Sequence, residues 1–181
     1  MKKINEIFYS LQGEGFHSGI PAVFVRFSGC NLHCPFCDTR HEEGVWMSES
    51  QIAQTVARYP ATMVILTGGE PSLQLSATLL ELLHAQRKYI CIETNGTHVL
   101  PPGVDWVTCS PKEGAPVVLH RIDEVKVVYT GQDVERYAAL PAAHHFLQPC
   151  SGKNTAQVLA YILEHPHWRL SLQIHRLIGF R

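Results

Sequence analysis

Short apolar runs rich in β-branched residues recur along the chain and alternate with segments of helical periodicity. The runs predict strands over residues 22–27, 63–67, 89–93, 106–109, 124–129, 146–148 and 169–173, with a further strand near residues 6–11. Helices are predicted from Ser48, where Gln51 completes a capping box, to about Arg58, and over residues 75–87, 133–139 and 154–164. Strands that alternate with helices indicate parallel βαβ units.

One feature of the pattern departs from a complete repeat. The stretch between residues 93 and 106 is too short for an ordinary crossover helix, and Pro101-Pro102-Gly103 prevents one. We therefore expect an α/β fold in which residues 1–181 form a single domain, a partial (βα)6-type barrel with one or more core helices missing.

Composition narrows the class of protein. An apolar fraction of 45% and a charged fraction of 17% are typical of a globular chain. The formal net charge of −1 gives no bulk attraction for nucleic acid or for an anionic membrane, and neither partner is expected. No run approaches the roughly 20 apolar residues that span a bilayer, and polar residues near the N-terminus argue against a signal peptide. We expect a cytoplasmic protein whose six cysteines are metal ligands or core residues rather than disulfides.

Polar, glycine-rich or cysteine-rich segments come directly after the predicted strands. These segments are residues 30–37, 68–70, 94–96, 110–112, 149–150 and 175. Because the carboxyl ends of parallel strands share one edge of a sheet, we expect the segments to converge on one site.

The most specific of these segments contains three cysteines. Cys30, Cys34 and Cys37 have the spacing C-x3-C-x2-C, and thiolates are the usual ligands of iron–sulfur clusters. Without a fourth local cysteine, one iron would stay open for a bidentate ligand such as the amino and carboxylate groups of S-adenosylmethionine (SAM). A zinc site completed by His33 or His41, or plain core cysteines, remain alternatives at this point. Cys91, Cys109 and Cys150 are expected to be packed residues rather than ligands.

The cysteine triplet followed by Gly68-Gly69-Glu70-Pro71 resembles the radical SAM superfamily. Further segments narrow the resemblance to the 7-carboxy-7-deazaguanine synthases, from residue 4 to the C-terminus. They are Leu11-Gln12-Gly13-Glu14-Gly15, Arg26-Phe27, Cys37-Asp38-Thr39, Glu93-Thr94-Asn95-Gly96, Ser110-Pro111-Lys112 and Ser171-Leu172-Gln173-Ile174-His175.

This resemblance implies a lyase activity and its cofactors. The family converts 6-carboxy-5,6,7,8-tetrahydropterin to 7-carboxy-7-deazaguanine with loss of ammonia, in queuosine and 7-deazapurine biosynthesis. It uses one 4Fe–4S cluster, SAM as a reusable cofactor, and Mg²⁺. A flavodoxin-type reductant and a homodimer are implied by the same resemblance. A glycyl-radical activating enzyme, or another small radical SAM enzyme, would share the cluster segment, and a zinc-stabilised binding module is a competitor of another class.

The resemblance also assigns residues by position. Cluster ligands are Cys30, Cys34 and Cys37, and Thr39 is the candidate ligand of Mg²⁺. The residues assigned to SAM are Phe36, Cys37, Asp38, Gly69, Ser110, Pro111, Lys112, Gln148, Pro149, Cys150 and Ser151. Those assigned to the substrate are Leu11, Gln12, Gly13, Glu14, Arg26, Thr67, Glu93, His175 and the terminal carboxylate of Arg181.

Several of these residues have a purely structural alternative. Arg26 could form a strand-end ion pair, Glu14 could sit in the turn made by its flanking glycines, and Glu93 could cap a strand end. Thr39 could make a local hydrogen bond. Apolar residues 177–180 are expected to pack down, and they could simply plug the barrel. Lys126, inside an apolar run, receives no role.

Overall fold

A single mixed sheet forms the framework of the computed structural model, which describes residues 1–37, 39 and 42–180. The strands of this described part are β1 (Lys2–Leu11), β2 (Pro21–Phe27), β3 (Val45–Met47), β4 (Met63–Gly68), β5 (Tyr89–Thr94), β6 (Trp106–Cys109), β7 (Glu124–Tyr129), β8 (His144–Pro149) and β9 (Arg169–Leu170). They are ordered β3-β1-β2-β4-β5-β6-β7-β8-β9. β1 is antiparallel to both of its neighbours, whereas β2 and β4 to β9 are parallel to one another.

Helices occupy some of the connections between strands and not others. They are α1 (Glu49–Val56), α2 (Ala77–Ala85), α3 (Glu135–Ala138), α4 (Thr155–Glu164) and α5 (Ile174–Ile178). The predicted capping box is confirmed, since Ser48 Oγ accepts from the Gln51 amide and the Gln51 side chain accepts from the Ser48 amide. Residues 95–105 and 110–123 contain no helix, which confirms that core helices of a full repeat are missing.

The structure corrects the sequence predictions at the two ends of the chain. β1 begins at Lys2 rather than near residue 6, and the short strand β3 was not predicted. The strand predicted over residues 169–173 ends at Leu170 and is followed by α5. Leu177 and Ile178 are 68% and 67% exposed, so the expectation that they pack down is wrong.

Apolar side chains fill the space between the helices and the sheet. One buried cluster joins α1 and α2 to the first half of the sheet, with Ile52, Leu80 and Leu83 against Val64 and Ile92. A second cluster packs around Trp168, Val158 and Leu147 in the other half. The helices therefore cover one face of the sheet, and the opposite face is available for a site.

The sheet curls so that its first strands approach its last. β1 and β7 are separated by four strands in the sheet, yet the Glu14 carboxylate that follows β1 reaches Lys126 on β7. Residues 12–20, which connect β1 to β2 and which we call the closing loop, make this approach. The curl gives a partial barrel with an interior. No helix in the described part of the chain is long and apolar enough to cross a membrane.

Candidate active site

A cavity of about 530 Å³ lies inside the curled sheet. Its walls come from the carboxyl ends of the parallel strands and from the segments that follow them, together with the closing loop. The cysteine-rich segment and the glycine-rich segment after β4 both contribute, as expected for segments that follow neighbouring strands.

Two glycines bring the glycine-rich segment against the cysteine-rich one. Gly68 has a φ of +119°, and a Cβ on either Gly68 or Gly69 would collide with backbone atoms of residues 27–29. The Gly69 and Glu70 amides donate to the carbonyls of Phe27 (3.0 Å) and Gly29 (2.8 Å). Glycine is required here because two stretches of backbone approach too closely for a side chain.

Glu70 ties the same segment to the end of β5. This carboxylate is fully buried, and its Oε1 accepts from the Thr94 hydroxyl at 2.7 Å and from the Ser72 amide at 3.0 Å. Its Oε2 accepts from the Asn95 amide at 2.7 Å. The rigid segment thus exposes its glycine backbone to the cavity beside the three cysteines.

The three predicted ligands Cys30, Cys34 and Cys37 all line the cavity, and none is in a disulfide. Across the residues that the structure describes, no three Cys, His, Asp or Glu side chains converge on one metal ion. In a cubane, each thiolate binds a different iron. Three cysteines on one cavity are therefore a donor set that suits an iron–sulfur cluster.

Burial and neighbouring charges act on the cysteines and on a lysine beside them. Burial raises the pKa of Cys34, the Lys112 charge opposes that rise, and the other two cysteines add to it. Burial lowers the pKa of Lys112, whose ammonium donates to the Ser110 carbonyl and hydroxyl at 2.5 and 2.8 Å. A cation so placed can bind a carboxylate at the cluster end of the cavity.

The opposite end of the cavity contains a network of ionised side chains centred on Lys126. This lysine is 3% exposed, and its Nζ lies 2.6 Å from Glu14 Oε2 and 2.7 Å from Glu93 Oε2. Gln12 Nε2 donates to Glu93 Oε1 at 2.8 Å, and Gln173 Nε2 donates to Glu14 Oε1 at 2.9 Å. The Lys126 ammonium therefore binds carboxylates from two other segments of the chain, and Gln12 and Gln173 hold the remaining oxygens of those carboxylates.

The network shifts pKa values in opposite directions. Burial alone would raise the pKa of Glu14, but the charge and hydrogen bond of Lys126, with the bond from Gln173, lower it to about 2. Burial would lower the pKa of Lys126, but the three surrounding glutamates raise it above its usual range. Glu124, which has no such bond to the lysine, has its pKa raised by burial to about 7.

Arg26, on β2, also lines the cavity. Its Nε is 2.9 Å from Glu6 Oε1 and its Nη1 donates to Thr39 Oγ1 at 3.3 Å. The ion pair that was an alternative for Arg26 is therefore present, but the residue also lines the cavity. The contact with Thr39 brings the candidate Mg²⁺ ligand beside the same guanidinium.

The C-terminal segment meets the closing loop at the cavity. The Ile174 amide donates to the Gly13 carbonyl at 2.9 Å, and a Cβ on Gly13 would collide with His175 Nδ1. Gly13 is therefore needed for the close approach of His175, which lines the cavity with Arg176. The start of α5 is anchored, even though Leu177 and Ile178 further along are exposed.

Almost all of the residues assigned from the sequence line this one cavity. They are Leu11, Gln12, Gly13, Glu14, Arg26, Cys30, Cys34, Phe36, Cys37, Thr39, Thr67, Gly69, Glu93, Ser110, Lys112, Gln148, Pro149, Cys150, Ser151 and His175. Pro111 is buried and does not line it. Asp38 and Arg181 lie outside the described residues.

Sequence reasoning missed Lys126, Gln173 and Glu6. The signal for Lys126 was the alternation within β7, where Lys126 and Val128 line the cavity while Val125 and Val127 belong to the second apolar cluster. A period of two residues places such a lysine on the inner face of the sheet.

Comparisons with known proteins identify the family of this chain. A family model described as the radical SAM superfamily matches residues 24–148. The 7-carboxy-7-deazaguanine synthase of Bacteroides thetaiotaomicron is 61% identical over 181 residues, 100% of both chains. The enzyme of the same name from Bordetella pertussis is 43% identical over 204 residues, 97% of each chain. The crystal structure of QueE from Escherichia coli matches with a TM-score of 0.80 and 32% identity, covering 96% of this chain and 94% of that one. The chain therefore belongs to the radical SAM superfamily and, within it, to the 7-carboxy-7-deazaguanine synthase family.

Proposed function

We propose that this chain converts 6-carboxy-5,6,7,8-tetrahydropterin to 7-carboxy-7-deazaguanine with release of ammonia, using a 4Fe–4S cluster and SAM. The observation that carries the proposal is the division of one cavity into two ends. Three cysteines and a glycine backbone lie at one end, and the Glu14–Lys126–Glu93 network lies at the other.

The cluster end has the chemistry that its cofactors need. Cys30, Cys34 and Cys37 would hold three irons and leave the fourth for SAM, whose reductive cleavage supplies a carbon radical when both groups are bound. The backbone at Gly69 would accept from the SAM ammonium, and Lys112 would bind its carboxylate. The turn over residues 148–151, with Phe36, Asp38 and Ser110, would complete the SAM site, and the buried Pro111 would fix the backbone between Ser110 and Lys112.

The network end has the chemistry that a pterin needs. A carboxylate can accept two parallel hydrogen bonds from a guanidine-like edge, and Glu14 and Glu93 both face the cavity. Gln12, Thr67 and His175, with the backbone of Leu11 and Gly13, would bond to other ring atoms, and Arg26 would bind the substrate carboxylate. The terminal carboxylate of Arg181 is assigned to the same site. These residues orient the substrate and exclude water from the reacting carbon.

We further propose that Thr39 contributes one oxygen ligand to Mg²⁺. A hard cation prefers oxygen ligands and few protein contacts. The Thr39 hydroxyl lies beside Arg26, the residue proposed to bind the substrate carboxylate, so the metal and that carboxylate would be neighbours. Loss of Mg²⁺-stimulated turnover in Thr39→Val, with SAM affinity unchanged, would support this ligand, and an unaltered Mg²⁺ response would reject it.

We also propose a domain organisation, a compartment and partners for the enzyme. We propose a single domain over residues 1–181, since one sheet extends from Lys2 to Leu170. Free cysteines throughout suit a reducing cytoplasm. A homodimer and a flavodoxin-type reductant follow from the family resemblance, and the net charge of −1 favours neither nucleic acid nor membrane as a partner. Light scattering of the purified protein tests the dimer.

The test is turnover by the reconstituted enzyme without oxygen. Reduced protein is incubated with SAM, Mg²⁺ and the carboxytetrahydropterin, and products are identified by mass spectrometry. A deazapurine product supports the proposal. An unchanged pterin in the presence of an intact cluster and bound SAM would overturn it, and would favour a glycyl-radical activating enzyme or another small radical SAM enzyme. A colourless protein with zinc and no iron would indicate a binding module instead.

A further inference from the structure

The closing loop (residues 12–20) packs against the edge of the sheet where the parallel strands begin. The Phe16 ring stacks on the Trp106 ring at 5.0 Å and on the His144 ring at 4.3 Å. Trp106 and His144 are the first residues of β6 and β8. The outer residues of the closing loop therefore pack on strand starts, while Gln12 and Glu14 face the cavity.

A buried carboxyl group meets the outer part of this loop. Glu124 is the first residue of β7 and is 2% exposed, and its Oε2 accepts from the Phe16 amide at 3.1 Å. Gly15 has a φ of +64°, and a Cβ there would collide with Glu124 Oε1. Gly15 thus permits the loop backbone to lie directly against this carboxyl group. Burying a carboxyl group at such a place is costly, which makes a purely space-filling role a poor explanation.

A second side chain fixes the adjacent amide. Ser171 Oγ accepts from the Gly15 amide at 3.0 Å and donates to Gln148 Oε1 at 2.9 Å. The amides of Gly15 and Phe16 are therefore both bonded to side chains from the far half of the sheet. Glu14 directly precedes these two fixed amides, and its carboxylate reaches Lys126.

We infer that Glu124 is a positioning residue for substrate binding, which holds the closing loop so that Glu14 faces Lys126 and the cavity. The inference rests on the proposed function, because that function assigns Glu14 to the substrate. Glu124 itself does not line the cavity, so its effect is transmitted through the loop backbone. SAM binds at the opposite end and should not respond.

The experiment compares wild-type holoenzyme with Glu124→Leu, Glu124→Gln and Asp123→Leu. Leucine removes the acceptor for the Phe16 amide, whereas glutamine retains an acceptor oxygen of similar reach. Asp123 is the matched control, because its carboxylate accepts from the Val107 amide at 2.8 Å on the neighbouring strand and is bonded to Arg121 rather than to the closing loop. Amide hydrogen exchange, KM and kcat for the pterin, and Kd for SAM are measured for each protein.

We expect Glu124→Leu to raise the pterin KM about tenfold, the value of one lost hydrogen bond, with SAM Kd unchanged. Exchange at Gly15 and Phe16 should accelerate. Glu124→Gln should keep KM within about threefold of wild type, since its acceptor remains. Asp123→Leu should lower thermal stability without raising KM.

Three results would overturn the inference. They are an unchanged KM in Glu124→Leu, an equal rise of KM in Asp123→Leu, and a parallel rise of SAM Kd. If Glu124→Leu does not fold, Gly15→Ala is used instead. Its Cβ would collide with Glu124 Oε1 and displace the closing loop, so this variant must raise the pterin KM in the same way. Amide hydrogen exchange can be measured without turnover, so the two claims are tested separately. A wild-type enzyme that makes no deazapurine overturns the proposed function. Amide protection at Gly15 and Phe16 that is the same in Glu124→Leu as in the wild type overturns the positioning role.

Discussion

Lys126 Nζ lies 2.6 Å from Glu14 Oε2, although 112 residues separate the two in the chain. The same ammonium group lies 2.7 Å from Glu93 Oε2. The buried ammonium group of Lys126, on β7, therefore connects the closing loop with β5. It also sets the direction in which the two substrate-facing carboxyl groups, those of Glu14 and Glu93, point.

Replacement of Lys126 by methionine should disable this end of the cavity. Removal of one member of a buried ion pair costs about 3–5 kcal/mol, because the remaining charge is unpaired. Glu14, with a pKa of about 2, stays ionised throughout the assay range in the wild type. In Lys126→Met the lysine no longer opposes the effect of burial and only weaker contacts such as the Gln173 hydrogen bond do, so the pKa of Glu14 rises.

The Lys126→Met variant should therefore have a raised pterin KM, and its kcat/KM should fall as the pH is lowered from 9 to 6 because Glu14 becomes protonated. In the wild type, protonation of Glu14 causes no fall of kcat/KM in this range. Lys88→Met is the control, since the Lys88 ammonium donates to carbonyls of Tyr59 and Ala61 outside the cavity. A wild-type pH profile and KM in Lys126→Met would contradict the role of the network.

Arg26→Ala should weaken substrate binding far more than SAM binding. Loss of a charge-assisted contact in a partly desolvated site should cost about 2–5 kcal/mol. Arg26→Lys should recover only part of this, because a point charge cannot replace a planar fork. Titration calorimetry with each ligand separates the effects, and equal losses for both would indicate a folding role through the ion pair with Glu6.

Alanine at Cys30, Cys34 or Cys37 should abolish the brown chromophore and SAM cleavage. Each thiolate binds a different iron, so none can substitute for another. Cys91→Ala should retain the cluster, because Cys91 is buried in a small apolar cluster below the site. Iron and sulfide analysis with visible absorption measures the outcome. A complete 4Fe–4S complement with wild-type turnover in any of the first three variants would show that the ligands are misassigned.

A short peptide added after Arg181 should lower turnover, whereas the same peptide before Met1 should be tolerated. Met1 is 70% exposed. At the other end, His175 lines the cavity, and a peptide bond at Arg181 removes the carboxylate assigned to the substrate. Steady-state kinetics of the two tagged proteins provides the comparison. An unaltered KM and kcat in the C-terminally tagged enzyme would exclude a role for that carboxylate.

The parallel strands could be predicted from the sequence because they are buried on both faces and contain continuous apolar runs. β3 could not, because it has only three residues, two of which, Val45 and Trp46, are exposed. The end of β9 was misplaced for a related reason. Ser171 follows the strand pattern, but its hydroxyl bonds Gln148 and the Gly15 amide, and the chain then turns into α5.

The cavity residues within recognisable segments could also be predicted, whereas their partners could not. Glu14 lies between two glycines and Glu93 directly precedes the Thr94-Asn95-Gly96 segment, both at strand ends, where polar residues indicate a site. Lys126 stands alone between valines, and only its inward register and the curl of the sheet bring it to both carboxylates. Contacts across 112 residues depend on that curl, which the local pattern does not specify.

The most direct test of the account is the ratio of product to SAM in a reaction in which SAM is limiting. Reduced wild-type enzyme is supplied with excess carboxytetrahydropterin and less than one equivalent of SAM, and 7-carboxy-7-deazaguanine, ammonia and SAM are quantified. The account predicts several equivalents of deazapurine for each SAM, with an equal amount of ammonia. Cleavage of SAM with the pterin unchanged would contradict it.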